Sequence, residues 1–93
     1  MGFRGKYKNK RDGNEPEIVA ALEGCGFSVV RMDHPADLLC GFAGKDYLVE
    51  VKMPSAYLSG PQKIFFEQWR GSKTILRSVQ DALEWANEIR GKK

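Results

Sequence analysis

The apolar positions of the chain fall into short segments that switch between a helical period and a strand period. Ile18, Val19 and Leu22 recur at helical spacing behind Asn14, with Glu15 on the same stripe and Glu17 off it. Asn14 is a good N-cap, Glu17 stands three residues on as in a capping box, and Pro16 is tolerated in a first turn. The spacing predicts a helix from Asn14 to about Glu23, stopped by Gly24-Cys25-Gly26. Phe27 to Met32, with Val29 and Val30, predicts a first strand. Asp33-His34-Pro35-Ala36 reads as a turn, and Asp37 opens a second strand, Leu38 to Phe42. That near-continuous apolar run is of the kind buried on both faces.

Ala43-Gly44-Lys45 predicts a hairpin turn into a third strand, Asp46 to Met53, which Pro54 ends. A loop leads to Ser59-Gly60-Pro61-Gln62, a second capping signature with Ser as cap and Gln at the third position. The helix it opens would carry Phe65, Phe66 and Trp69 inward, with Gln62 on that stripe, and end at Gly71. Lys73 to Arg77 predicts a fourth strand. Ser78, with Asp81 three residues on, caps a last helix to about Ile89. Its apolar face is Val79, Ala82, Leu83 and Ala86, edged by Trp85 and Ile89. The expected order is α-β-β-β-α-β-α in one α/β domain, a mixed sheet flanked by helices, and the β-α-β part predicts that strands three and four run parallel.

Composition narrows this picture. Ninety-three residues with 42% apolar side chains make a single small domain with a thin core, which suits a dimer. No apolar run of about 18 residues is present, and the basic N-terminus lacks the apolar segment of a signal peptide, so a cytoplasmic protein is expected. Cys25 and Cys40 read as reduced thiols. A zinc site from Cys25, His34 and Cys40 would have only three ligands, and His34 reads as a turn residue.

The net charge of +3 is unevenly placed. Arg4, Lys6, Lys8, Lys10 and Arg11 crowd the first eleven positions, and Lys92 and Lys93 close the chain. The remainder, with eight basic and twelve acidic residues, is mildly acidic. Residues 1–12 lack periodicity and are expected to form a flexible basic arm with Phe3 and Tyr7 interleaved; 13–90 form the domain and 91–93 a basic tail. Such an arm suits nucleic acid, or else a solvated terminus.

Three charges in the hairpin are not needed by its apolar pattern. Asp37 opens one strand, and Glu50 and Lys52 project from one side of the next, with Val49 and Val51 on the other. Two carboxylates, Asp37 and Glu50, with the carbonyl of Val51, are oxygen ligands of the kind Mg²⁺ takes. Lys52 would sit beside the metal to position or help deprotonate water. Glu15 and Gln62 head apolar stripes on two helices, as polar residues do when they meet a polar centre. Each has a plainer role. Glu50 and Lys52 make an ion pair on a solvated sheet, Asp37 caps its turn, Glu15 complements a helix dipole and Gln62 completes its capping box.

Taken in order, Glu15 with Ile18 and Leu22, Asp37-Leu38-Leu39, Glu50-Val51-Lys52 and Leu58-Ser59-Gly60-Pro61-Gln62 resemble the VRR-NUC branch of the PD-(D/E)XK nucleases, over residues 13 to 85. The family carries a proline directly before its acid, whereas here Pro35 stands one residue early. The resemblance implies a restriction-endonuclease-like core and Mg²⁺- or Mn²⁺-dependent phosphodiester hydrolysis. Asp37 and Glu50 would be metal ligands, Lys52 the catalytic lysine, Glu15 the helix acid and Gln62 the accessory glutamine. It further implies a homodimer acting on branched, flap or Holliday-junction DNA in repair, in a bacterial or phage-infected cell. The rival from another class is a non-catalytic DNA-binding or assembly subunit with an idle site.

Overall fold

The computed structural model of the chain describes residues 12–91. The basic arm, including Arg4, Lys6, Lys8, Lys10 and Arg11, and the terminal Lys92 and Lys93 lie outside the described residues. In chain order the elements are α1 (Glu15–Gly24), β1 (Ser28–Arg31), β2 (Leu38–Phe42), β3 (Lys45–Val51), α2 (Gly60–Gln68), β4 (Lys73–Leu76) and α3 (Val79–Gly91). The sheet runs β1-β2-β3-β4. Its first two pairings are antiparallel, and β3 and β4 are parallel across the α2 crossover. It is a four-stranded mixed sheet with helices on its flanks.

One sheet face carries the core. Leu38 and Cys40 of β2, Val49 and Val51 of β3 and Leu76 of β4 pack against Ile18 and Leu22 of α1 and Ala82 and Ala86 of α3. Two alanines on α3 let its backbone come close to the sheet. Phe27 at the mouth of β1 stacks on Phe42 (4.8 Å between centroids) and packs on Trp85 (5.3 Å). The Cys40 thiol lies in this core, where burial pushes its pKa up to about 12, and both cysteines are free.

The opposite face is only partly covered, and the expectation that β2 is buried on both sides is corrected. Leu38 and Cys40 are buried, but Leu39 is 36% exposed and its cross-strand partner Val30 57% exposed. The reason is that α1 and α3 share one face, while α2 meets the other through Gln62. Trp69, expected inward, is exposed, because α2 stops at Gln68 and Trp69 turns to extended backbone. It stacks on Phe65 (5.5 Å) instead. Leu83, expected on the buried stripe of α3, is exposed, and the alanines make that contact together with the partly buried Val79, Trp85 and Ile89.

The helix starts divide. Ser59 and Gln62 form the expected capping box. At α3 the Ser78 hydroxyl accepts from the Asp81 N–H (3.0 Å), while the Asp81 carboxylate takes the N–H of Arg77 rather than of Ser78 (3.0 Å). At α1 the expected box is absent. Asn14 makes no side-chain cap, and its amide Nδ2 donates instead to the carbonyls of Lys52 (3.1 Å) and Arg77 (3.0 Å).

The β2–β3 hairpin sets the register of the molecule. Phe42 pairs with Lys45, so the loop is Ala43-Gly44, with β3 starting at Lys45 rather than Asp46 and ending at Val51 rather than Met53. Both loop residues have positive φ, 54° and 80°, as a two-residue turn matched to strand twist requires. Gly44 adopts this freely, but alanine in the left-handed region costs roughly 1–2 kcal/mol. Ala43→Asn, which tolerates that backbone, is therefore expected to stabilise the fold by roughly 0.5–1 kcal/mol, read as a rise in the denaturation midpoint at unchanged m-value.

Candidate metal and phosphodiester site

Extending the hairpin register by one residue places Asp37 directly across from Glu50, because Leu38 faces Val49. Asp37 is held in the sheet on its β1 side, where the Met32 N–H donates to its carbonyl (2.7 Å), and its side chain hydrogen-bonds Glu50. Directly opposed residues hold their Cβ atoms about 5 Å apart on one face. Leu38 and Val49 point into the core, so Asp37 and Glu50 share the other face. The turn leading to Asp37 contains a cis peptide bond between His34 and Pro35. With Pro35 one residue early, Asp37 still lands opposite Glu50.

Each side chain is then fixed by a neighbour. The Val51 N–H donates to Asp37 Oδ2 (2.8 Å), locking that carboxylate at the end of β3. Gln62 Oε1 accepts the Ser59 N–H (2.9 Å) to close the capping box, which leaves its Nε2 to donate to Glu50 Oε2 (2.6 Å). Both roles considered for Gln62, cap and site residue, are filled by one amide whose orientation the two bonds determine. Lys52 Nζ lies 3.9 Å from the same Glu50 oxygen, an ion pair rather than a hydrogen bond.

The idea of an ion pair on a solvated sheet fails for Glu50, which is 3% exposed. Ile75 stands beside it on β4, and α2 covers it through Gln62. Its pKa is raised to about 8. Desolvation is the main cause, followed by the negative charge of Asp37 and a hydrogen bond to it; Lys52 opposes the shift and Asp12 adds to it. A carboxyl group as dry as that of Glu50, beside a second acid, tends to keep its proton unless a cation replaces it.

Glu15 does not join them. It is buried on the core face of α1, 1% exposed, and its Oε2 accepts from Arg31 Nε at 2.9 Å. Arg31 pairs with Leu38, which faces the core, so Glu15 is engaged on the side of the sheet opposite to Asp37 and Glu50. The expected three-carboxylate set of Glu15, Asp37 and Glu50 is corrected accordingly. Among the described residues, no group of three or more His, Cys, Asp or Glu is arranged to hold a metal ion. Val51 gives its N–H to Asp37 and its side chain to the core.

Four contributors were missed. Arg31 holds Glu15. Asn14 clamps the ends of the parallel strands β3 and β4 by donating to the carbonyls of both Lys52 and Arg77. Arg77 Nη1 in turn pins the loop after β3 by donating to the carbonyls of Met53 (3.1 Å) and Ala56 (2.5 Å). Asp12 lies close enough for its charge to act on Glu50. The only advance signal was Asn14, and its position suggested a cap. The site thus sits at the carboxyl ends of the parallel pair, the place where α/β sheets bind ligands. A separate cleft of about 590 Å³, lined by Phe42, Tyr47, Lys73, Trp85 and Ile89 among others, lies at the hairpin end of β3, and no candidate site residue lines it.

Glu50 binds its proton more tightly in the folded chain than in the unfolded chain, where it titrates near 4.5. Its contribution to stability is full below that value and is lost as pH rises towards about 8. In metal-free buffer with EDTA, the melting temperature is expected to fall between pH 5 and pH 8. Glu50→Gln, neutral throughout, is expected to flatten that fall and melt higher than the wild type at pH 8. Parallel profiles for the two proteins would show that Glu50 carries no such strain.

Among protein-family models, curated proteins and solved structures, none matches this chain.

Proposed function

We propose that the chain is a metal-dependent DNA endonuclease of the VRR-NUC type, with a restriction-endonuclease-like core, acting as a homodimer on branched, flap or Holliday-junction DNA. The observation that carries the proposal is the Asp37–Glu50 pair. Glu50, buried beside Asp37 and with a lysine 3.9 Å away, forms a costly arrangement that a divalent cation would relieve. The oxygen-only donor set fits Mg²⁺ or Mn²⁺ rather than a softer metal. Asp37 and Glu50, with the Val51 carbonyl, would hold it, and the ion would supply Lewis acidity at the phosphoryl oxygen and lower the pKa of water.

The chain's own groups divide the remaining work. The Val51 N–H and the Gln62 amide orient the two carboxylates before substrate arrives. Lys52, with Nζ 3.9 Å from Glu50, would position the attacking water and offset the charge that gathers on the phosphoryl group. Glu15 supports the site at a distance, through Arg31 and the packing of α1. Arg4, Lys6, Lys8, Lys10 and Arg11 would contact phosphates, making binding fall with salt. The exposed Val30–Leu39 pair shares a sheet face with Asp37 and Glu50, and supports a second subunit on that side. Repair in a bacterial or phage-infected cytoplasm is the setting this activity implies; no described helix is long and apolar enough to cross a membrane.

The rival is a non-catalytic DNA-binding subunit, favoured by the engagement of Glu15 with Arg31 away from the carboxylate pair. One assay separates the two. With Mn²⁺, the protein is expected to cut a four-way junction in preference to linear duplex. Lys52→Ala and Asp37→Ala are each expected to lower cleavage by roughly a hundredfold or more, with DNA binding retained in a gel shift. Cleavage that survives excess EDTA would sink the metal mechanism, and binding without cleavage by the wild type would favour the rival.

A further inference from the structure

Two oxygens near the site have no hydrogen-bond donor among the described residues. Asp12 Oδ2 and Asn14 Oδ1 are both buried and both unpartnered. They belong to one turn, closed by the Glu15 N–H on the Asp12 carbonyl (3.1 Å). Asn14 as a whole is 9% exposed. A buried acceptor without a donor costs roughly 1–3 kcal/mol, more if charged, so two in one turn are not a neutral accident of packing.

Their location is set by the other half of the Asn14 amide. Its Nδ2 is held between the Lys52 and Arg77 carbonyls, so its Oδ1 is anchored at the end of β3, beside the residue whose ammonium faces Glu50. Asp12 lies within electrostatic reach of the Glu50 carboxyl. It does not lie close enough to Asp37 and Glu50 for the three to hold a metal directly. A carboxylate near a two-carboxylate site but outside direct ligand distance, with an amide oxygen in the same turn, matches the second layer of a small hard cation. Such an ion keeps several of its waters, and those waters are strong donors.

We propose that Asp12 and Asn14 form an outer carboxylate–amide pair that accepts hydrogen bonds from the hydration shell of the divalent cation held by Asp37 and Glu50. The inference rests on the metal-dependent reading of that site. It gives the turn before α1, rather than Glu15 within α1, the task of completing the cation's surroundings. Asp12 is thus a positioning residue and not a ligand.

The test is Mn²⁺ binding to the full chain without DNA, followed by calorimetry and by the loss of the free-ion EPR signal. Asp12→Asn and Asp12→Ser are each expected to weaken Mn²⁺ binding roughly 10- to 100-fold. Their melting temperatures in EDTA should equal or exceed that of the wild type, because an unpaired buried charge has been removed. Asp46→Asn, at the far end of β3, should leave the affinity unchanged. Wild-type affinity in both Asp12 variants would overturn the proposal while leaving the metal site itself intact. An equal loss in Asp46→Asn would overturn it too, by tracing the effect to net charge. A marked fall in the melting temperature of both Asp12 variants in EDTA would assign Asp12 a structural role instead and overturn it. No saturable Mn²⁺ binding by the wild type would remove the metal reading along with the inference.

Discussion

Burying a carboxylate beside a second carboxylate is unfavourable unless something compensates, and much of this small molecule is arranged around Glu50. Its neighbours on β2 and β4, the helix cap above it and the lysine beyond it all come from elements whose other faces build the core or the crossover. Stability and site are therefore drawn from the same few strands. A domain with so thin a core has little reserve, so a strained acid pair at its centre is more telling than the same pair would be on a large protein.

Gln62 links two levels of structure that are usually separate. Its amide oxygen completes the start of α2, and its amide nitrogen holds Glu50. Phe66 is the buried apolar residue of α2. The ordering of that helix and the orientation of the acid are thus coupled through one side chain. Asn14 plays a comparable part at the opposite end of the site, joining the first helix to the ends of two strands.

Local patterns in the sequence gave the elements, because each of them is a local matter. Helical spacing placed Glu15 on the buried stripe of α1, alternation put Glu50 opposite Val49 and Val51, and Ser59-to-Gln62 declared its cap. What was not legible depends on contacts between distant segments. The partners of Asn14 lie 38 and 63 positions away, and those of Arg77 on the loop after β3 lie 24 and 21 away. Nothing in the neighbourhood of either residue announces them. Arg31 likewise looked like the end of a strand until α1 was seen to lie across it. The exposed Leu39, Trp69 and Leu83 show the opposite limit. Apolarity marks what can be buried, and only the placement of the other helices decides what is.

The two-residue loop at Ala43-Gly44 has a bearing on how this chain can vary over time. It lies on the order of 20 Å along β3 from Glu50, well away from the two carboxylates. Surface loops ordinarily absorb insertions and deletions with little effect, yet here the loop counts residues for the site. One residue more or fewer would turn Glu50 toward the core and a valine toward Asp37, because side chains alternate along a strand. Substitution at this loop is limited to residues that accept a positive φ, and any change in its length would have to be matched by a bulge on the same hairpin. The tip of the hairpin should therefore hold its length and keep to residues that accept its left-handed backbone.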